Sequence, residues 1–155
     1  MALVPRRINL TRPANTTAYA ANDAISDATS SASDIVSADL GPGYITGITV
    51  ATNKVSITPR LRLHFYRNTA PTQINDNAAS TAPLDADLDA NKYLGAVTMP
   101  EMTSGGGGDS SFATNMDLRV PLDTDSYYFI IETMDVFTPA SGQIFRFRFY
   151  VERMK

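Results

Sequence analysis

The feature that most constrains this fold is a strict alternation of apolar and polar residues in two segments of the chain. In residues 143–153 (QIFRFRFYVER) Phe or Val alternates with Arg or Tyr, and residues 61–67 (LRLHFYR) alternate in the same way. Successive side chains of a β-strand point to opposite faces of its sheet. A period of two therefore predicts strands that cover a core with one face and leave the other face polar.

The other β-rich segments are short and end at turns rich in Gly, Pro and Asn. We find no convincing amphipathic helix, because the Ala-rich pieces near Tyr19 and Asp85 suffice for one or two helical turns at most. Short strands joined by such turns are typical of an antiparallel sandwich or barrel, and long connections favour a jelly roll. We predict an all-β fold, an antiparallel jelly-roll-like β-sandwich, with strands in residues 44–51, 55–67, 92–100, 116–122, 126–134 and 143–153.

The N-terminal part of the chain is poor in large apolar residues. Between Thr11 and Asp34 only Tyr19 and Ile25 are both large and apolar. Ordering the backbone costs about 1–2 kcal/mol per residue, so this segment cannot fold on a core of its own. It is either disordered or ordered by contact with its own sandwich, with sister subunits or with another surface. We expect an extended N-terminal arm in residues 1–40 and a β-sandwich domain in residues 41–155, which folds without residues 1–34.

Composition argues against several classes of partner. The formal net charge is -3 at pH 7 and the pI is about 5.0, which gives no electrostatic case for nucleic-acid binding. No run approaches the roughly 20 apolar residues of a membrane span. The chain has no cysteine, so disulfides and thiolate metal sites are excluded. We expect neither a nucleic-acid partner nor a membrane partner.

The residues that could support catalysis are few. His64 is the single histidine, and it lies on the polar face of an alternating strand, where a solvated or hydrogen-bonded histidine is normal. No Gly-x-Ser-x-Gly nucleophile elbow occurs. We therefore expect a binding or structural protein rather than an enzyme, with no catalytic residues.

One acidic segment has the beginning of a calcium-binding pattern. In residues 85–96 (DADLDANKYLGA) aspartates occupy positions one, three and five. Position six is Ala where the turn needs Gly, and position twelve is Ala where a bidentate Glu closes the site. We interpret the segment as a solvated acidic loop, and we expect no metal and no cofactor.

The arginines on the polar faces of the strands are expected to form a basic stripe across one sheet, and this stripe is a candidate oligomer interface. Arginine and tyrosine are enriched at protein interfaces. The alternative is a set of solvated arginines paired with nearby carboxylates. The candidate interface residues are Arg62, Arg119, Arg146, Arg148 and Tyr150.

Several segments together resemble a known family. The segment LTRPANTTAYAANDAI, residues 10–25, resembles one that recurs near the N-terminus of small virion proteins of tailed bacteriophages. The resemblance continues in the same order through YITGITV, LRLHFYRNTAPTQINDNAA, KYLGAV and FTPASGQIFRFRFYVER, and so spans most of the chain. Its architectural relatives are capsid cement, or decoration, proteins with jelly-roll folds.

That resemblance implies a structural role on the virion. It implies a protein made in the host cytoplasm that binds the outer surface of the phage head, with the major capsid protein and sister copies in a dimer or trimer as partners. Arginines of the arm would reach acidic patches on the shell, and Tyr19 would serve as an anchor. The candidate contacts are Arg6, Arg7, Arg12, Tyr19, Asp23 and Ile25.

Jelly rolls are also lectin scaffolds, which leaves an alternative open. The chain could be a carbohydrate-binding or receptor-binding module of a tail or head fibre. Such a module needs an exposed aromatic residue beside carboxylates, and Tyr93 next to residues 85–89 is the best candidate.

Overall fold

The structure is a computed structural model, and it describes residues 3–27, 36–38, 42–54, 57–67, 71–72, 74–89, 92–104, 111–116, 118–122 and 127–153. The strands are β1 (Leu3–Thr11), β2 (Ala24–Ile25), β3 (Val36–Ala38), β4 (Gly43–Thr52), β5 (Leu61–Arg67), β6 (Tyr93–Thr98), β7 (Thr103–Ser104), β8 (Ser111–Asn115), β9 (Val120–Leu122), β10 (Tyr127–Thr133) and β11 (Ile144–Arg153). One helical turn, α1 (Asp85–Asp89), lies between β5 and β6.

The strands form two antiparallel sheets. Sheet I has the order β1-β11-β4-β8-β7. Strand β4 pairs with β9 as well as with β8. Sheet II has the order β2-β10-β5-β6, and β3 also pairs with β10. The chain therefore crosses from sheet I to sheet II between β4 and β5 and returns to sheet I between β10 and β11.

The two sheets face each other across an aromatic core. The ring of Phe129 in sheet II lies 5.3 Å from the rings of both Phe147 and Phe149 in sheet I, between ring centroids. Phe65 in sheet II meets Phe149 edge-on at 6.1 Å. Such T-shaped pairs add about 0.5–1.5 kcal/mol each beyond the apolar area that they bury. The prediction of an all-β antiparallel sandwich is confirmed.

The alternating segments occupy the centres of the sheets. In β11 the Phe and Val side chains are buried while Arg146 is exposed, as the period of two predicts. In β5 the inward-facing Leu and Phe residues are buried, but His64 and Tyr66 on the outer face are buried as well. The outer face of sheet II is therefore partly covered, which alternation alone does not indicate.

The N-terminal residues are part of the sandwich. Strand β1 pairs with β11 along its whole length, from Leu3 opposite Glu152 to Thr11 opposite Ile144. Strands β2 and β3 both pair with β10 in sheet II. The expected boundary at residue 40 is therefore not a boundary between two units, because the described residues before it contribute strands to both sheets.

The segment between β1 and β2 is held by backbone hydrogen bonds to the same chain. The amide of Tyr19 donates to the carbonyl of Phe137 at 2.9 Å, and the amide of Asn22 donates to the carbonyl of Thr133 at 2.7 Å. Most side chains of residues 14–22 are exposed, whereas Tyr19 is buried. Of the alternatives left open for this segment, contact with its own sandwich is the one observed over residues 12–27.

Several strand bounds differ from expectation. β5 begins at Leu61 rather than at residue 55, because Pro59 precedes the strand. The strand predicted in residues 116–122 is reduced to Val120–Leu122, and β8 precedes it at residues 111–115. Residues 85–89 form one helical turn, which agrees with the limit of one or two turns expected from the sequence.

Candidate interaction surface

The outer face of sheet I carries a group of arginines that we call the arginine face. Cross-strand neighbours in an antiparallel pair point to the same side of the sheet. The register places Arg7 of β1 opposite Arg148 of β11, and Asn9 opposite Arg146. Two arginines from opposite ends of the chain thus lie side by side. The arginine face comprises Arg7, Arg119, Arg146 and Arg148.

A shallow groove of about 410 Å³ runs across this face. Within the described part of the chain, no carboxylate forms an ion pair with Arg7, Arg146 or Arg148. Among the described strand residues of this face the single carboxylate is Glu152, near the end of β11. The groove is lined by Arg7, Asn9, Thr49, Ala51, Arg146, Phe147 and Arg148.

Two tyrosines on this face are already engaged by its arginines. The guanidinium carbon of Arg119 lies 4.9 Å from the centre of the Tyr44 ring, a cation–π contact. The pKa of Tyr150 is lowered from its usual value, first by a hydrogen bond from Arg148, then by one from Thr49, and in smaller part by the charge of Arg7. A lowered phenol pKa is the expected effect of a positive local field.

The candidate oligomer interface divides between the two sheets. Arg119, Arg146, Arg148 and Tyr150 belong to the outer face of sheet I. Arg62 belongs to β5 in sheet II, where its Nη1 lies 3.7 Å from Glu132. The expectation of one stripe is therefore wrong for Arg62, because sheet membership depends on the topology and not on the local pattern.

Arg62 is part of a polar cluster on the outer face of sheet II. Nε2 of His64 lies 2.7 Å from a carboxylate oxygen of Glu132, and its Nδ1 lies 3.1 Å from the hydroxyl of Tyr93. An ionised carboxylate only accepts hydrogen bonds, so Nε2 donates to Glu132. His64 and Glu132 are each 4 % exposed. Both ring nitrogens of His64 thus have side-chain partners.

A second recess, of about 570 Å³, lies beside residues 57–60 and 135–138. The guanidinium of Arg60 donates hydrogen bonds to both carboxylate oxygens of Asp135, and the shortest of these contacts is 2.6 Å. This bond lowers the pKa of Asp135 and raises that of Arg60. The cation of this recess is therefore already matched by an anion, unlike the three groove arginines of the arginine face.

The predicted arm contacts Arg12 and Tyr19 lie in the interior. Arg12 is 2 % and Tyr19 1 % exposed. Arg12 Nη2 lies 3.0 Å from Asp76 Oδ2, and the Tyr19 hydroxyl donates to Asp76 Oδ1 at 2.5 Å. Arg12 Nε also donates to the Tyr19 hydroxyl, and the Tyr19 ring stacks on Phe137 at 4.8 Å. We call Arg12, Tyr19 and Asp76 the buried cluster.

Burial determines how this tyrosine titrates. Desolvation raises the pKa of Tyr19 well above its usual value, and the hydrogen bond to Asp76 raises it further. The backbone amide of Ser26 also donates to Asp76, at 3.0 Å. The carboxylate thus binds three points of the N-terminal segment and joins that segment to the middle of the chain.

The other predicted arm contacts divide between interior and surface. The carboxylate of Asp23 accepts a hydrogen bond from the amide of Ala20, and Ile25 belongs to the core. Arg6 lies opposite Phe149 and so starts on the core side of β1, whereas Arg7 is exposed on the outer face. Of the six predicted contact residues, Arg7 alone is an exposed residue of the surface. The prediction that Arg12 and Tyr19 reach a partner is wrong in this structure, since the chain's own Asp76 occupies them.

No metal site is evident where the sequence suggested an acidic loop. Within the described residues, no group of three or more His, Asp or Glu side chains is placed to hold a metal ion. Asp85 is an exposed residue of α1 rather than part of a twelve-residue binding loop. Tyr93, the candidate for sugar binding, is half-buried and bonded to His64.

Two carboxylates central to these clusters, Asp76 and Glu132, were not predicted in their observed roles, although Glu132 was named as a possible partner of the arginines. Neither carboxylate has its partner nearby in the sequence. For Glu132 a signal exists, since an acid on the outer face of a predicted strand next to the His64 strand is a natural partner for it. Asp76 lies in an irregular segment, and we see no local signal for its role.

No protein-family model matches the chain, and no curated protein matches it. Over the described residues, no helix has the length and apolar character needed to cross a membrane.

Proposed function

We propose that this chain is a virion protein of a tailed bacteriophage that binds the outer surface of the head and stabilises contacts between major capsid protein subunits. The observation that carries the proposal is where the resemblance segments meet. Arg12 and Tyr19 come from the first segment, Asp76 from the middle one, and Phe137 from the last. Arg12, Tyr19 and Asp76 contact one another, and Phe137 stacks on the Tyr19 ring at the same place.

This convergence explains what the resemblance consists of. The Arg-Pro-Ala and Thr-Thr-Ala-Tyr motifs supply the arginine and the tyrosine of the buried cluster, and the QINDNAA motif supplies its carboxylate. A motif that forms a buried polar cluster specifies a fold rather than a reaction. It supports common architecture with the phage proteins, and the decoration role is carried over from that resemblance.

The strand order supports a jelly roll. In a jelly roll two Greek keys fold together, so that early strands pair with late ones. Here β1 pairs with β11, β2 and β3 with β10, β4 with β8 and β9, and β5 with β6. The pairs are nested, with the first strand beside the last and the middle strands beside each other. We propose that the sandwich is a jelly roll, an architecture found among viral capsid proteins and lectins.

A clamp on a capsid has physical requirements that this molecule meets. It needs a rigid body and a contact surface, and it needs no reacting groups. Copies repeat with the symmetry of the shell. A copy that bridges two capsomers binds more tightly, because its second contact is effectively intramolecular once the first has formed. The aromatic core supplies the rigidity, and the outer faces of the two sheets supply the surfaces.

The proposal is tested on virions of a phage that encodes the chain. Immunogold labelling of intact particles is expected to decorate heads, and gel densitometry is expected to give a copy number that fits the symmetry of the shell. Purified chain added to heads assembled without it is expected to bind and to raise their resistance to heat or chelators. Absence from the virion, or a location restricted to the tail or to fibres, overturns the proposal, the latter in favour of the receptor-binding alternative.

A further inference from the structure

We propose that the arginine face is the surface that docks on the head and that its partner is an acidic surface of the capsid protein. This inference rests on the proposed function, and it names the contact surface and the chemistry of the partner. It is an alternative to the expectation that these arginines join sister copies.

The first observation is charge segregation. The whole chain carries a formal net charge of -3. The described strand residues of the sheet I outer face nevertheless include one carboxylate, Glu152, against four arginines if Arg119 over Tyr44 is counted. An acidic protein that collects arginines on one face presents a positive surface to approaching molecules, and such a surface steers association with an acidic partner.

The second observation is a local conflict within the sheet. Like charges directly opposite each other on neighbouring strands destabilise a sheet, and the register places Arg7 directly opposite Arg148. No carboxylate of the described residues offsets this pair. A sequence that breaks a local rule without compensation inside the fold is expected to do so at a functional site.

The geometry suits carboxylates of a protein partner. A guanidinium binds a carboxylate through two parallel N–H···O bonds, which gives direction as well as energy. Arg7, Arg146 and Arg148 surround one groove of about 410 Å³, which is wide enough to admit Asp or Glu side chains from a facing surface. Thr49 and Asn9 in the same groove supply neutral hydrogen-bonding groups.

A symmetric dimer through this face is unfavourable. A two-fold interface brings the same patch of both subunits together. In such a dimer the arginines of one copy would meet those of the other, with Glu152 as the single described carboxylate to offset them. The face therefore fits a different surface better than its own copy.

Nucleic acid is a poorer match than an acidic protein. Proteins that bind single strands stack bases on free aromatic rings. On this face the Tyr44 ring is covered by Arg119, whose guanidinium carbon lies 4.9 Å from the ring centre. The cations are also few for a phosphate backbone, whose binding depends on many such contacts.

The experiment compares two double variants on heads assembled without the chain. R146Q/R148Q removes two charges from the face, and K54Q/K92Q removes the same charge from positions outside it. We expect R146Q/R148Q to weaken binding to heads at least tenfold at low salt, and K54Q/K92Q to stay within twofold of the natural sequence. We also expect polyglutamate to compete with heads for the natural sequence, and added salt to weaken binding.

The outcomes separate the two proposals. Circular dichroism first establishes that both variants are folded. If the natural sequence binds heads and R146Q/R148Q binds equally well, the docking face is wrong while the decoration role stands. If the natural sequence does not bind heads, the decoration role itself fails. Competition by a single-stranded oligonucleotide but not by polyglutamate overturns the choice of an acidic protein as partner.

Discussion

Arg12 and Asp76 form an ion pair at 3.0 Å although 64 residues separate them in the sequence. Neither side chain has any solvent-accessible surface. A buried charge is tolerated only where its partners replace the water that it has lost. Here Tyr19 and the amide of Ser26 supply the additional hydrogen bonds of the carboxylate. The pair therefore joins the N-terminal segment to the middle of the chain.

Asp76→Asn is expected to destabilise the protein strongly. It removes the negative charge and leaves the Arg12 guanidinium buried without an anion. Removing one partner of a buried pair costs about 3–5 kcal/mol. Urea unfolding followed by circular dichroism measures the change in the free energy of unfolding.

The matched control for that experiment is Asp135→Asn. It breaks the bidentate pair with Arg60. The side chain of Arg60 is 51 % exposed and that of Asp135 is 33 % exposed. Solvent-screened pairs contribute little to stability, so we expect a loss that is a small fraction of that for Asp76→Asn. Equal losses in the two variants would contradict the assignment of the buried cluster as the main electrostatic anchor.

The raised pKa of Tyr19 makes stability depend on pH in the alkaline range. The fold keeps this phenol neutral, mainly by burial, whereas in the unfolded chain it ionises near its ordinary value of 10.0. The stabilisation is therefore complete below pH 10 and is lost as the pH rises, by about 1.4 kcal/mol per pH unit. Tyr19→Phe is expected to reduce this slope, and Tyr93, whose pKa burial also raises, is expected to retain part of it. The loss of the Tyr19 hydroxyl is expected to cost about 1–3 kcal/mol at neutral pH.

Tyr150→Phe is the control for the titration. The pKa of Tyr150 is lowered in the fold by Arg148, so its ionisation favours the folded state as the pH rises. Removing it is expected to leave the alkaline loss of stability intact or to steepen it. Denaturant unfolding between pH 9 and 11 measures both slopes, and an unchanged slope in Tyr19→Phe would refute the role given to Tyr19.

Gly43 and Gly47 give a contrasting pair of substitutions in β4. A Cβ added at Gly43, which has φ +152°, would collide with the backbone carbonyl oxygen of Glu152 on β11. A Cβ at Gly47 would meet the Met116 sulfur at 2.5 Å, and that side chain is 53 % exposed and free to move aside. Gly43→Ala is expected to cost about 1–3 kcal/mol as an overpacked site, and Gly47→Ala much less. Thermal unfolding of both variants checks the order, and a reversed order would contradict the β4–β11 register at Gly43.

Sequence patterns predicted the fold where a strand has one face in the core. β11 was predicted nearly to its ends because apolar residues mark its buried side, whereas β10, predicted equally well from its apolar and aromatic run, is buried on both faces. β1 was missed although Ile8 and Leu10 alternate with Asn9 and Thr11. An arginine, Arg6, occupies one of the core-side positions of this strand, and a proline, Pro5, precedes it. The period of two is therefore not evident in the sequence of β1. Charged residues and proline are usual on edge strands, because they prevent the strand from pairing with strands of other molecules.

The candidate surface was predictable in part. Alternation in β11 placed Arg146, Arg148 and Tyr150 on one face correctly. That Arg7 joins them, and that Arg62 does not, depends on which strands pair and in what register. Register is set by the burial of whole faces, and a shift of one residue would reverse every side chain. The buried cluster was beyond local reasoning because its members come from loops that only the finished fold brings together.

Deleting residues 1–34 is expected to prevent stable folding rather than to leave an intact β-domain. The deletion removes Leu10, Tyr19 and Ile25 from the core, and burial of such side chains contributes about 1.5–3 kcal/mol each. It also removes the partner of Asp76 and leaves β11 as an unpaired edge. These losses are comparable to the roughly 5–15 kcal/mol that stabilises a typical domain. Near-ultraviolet circular dichroism and urea unfolding test the truncated chain against T16A/T17A, which changes two exposed residues of the same segment and is expected to fold normally. A truncated chain with a cooperative transition and native aromatic signals would mean that residues 1–34 are dispensable for the sandwich, as the sequence alone had suggested.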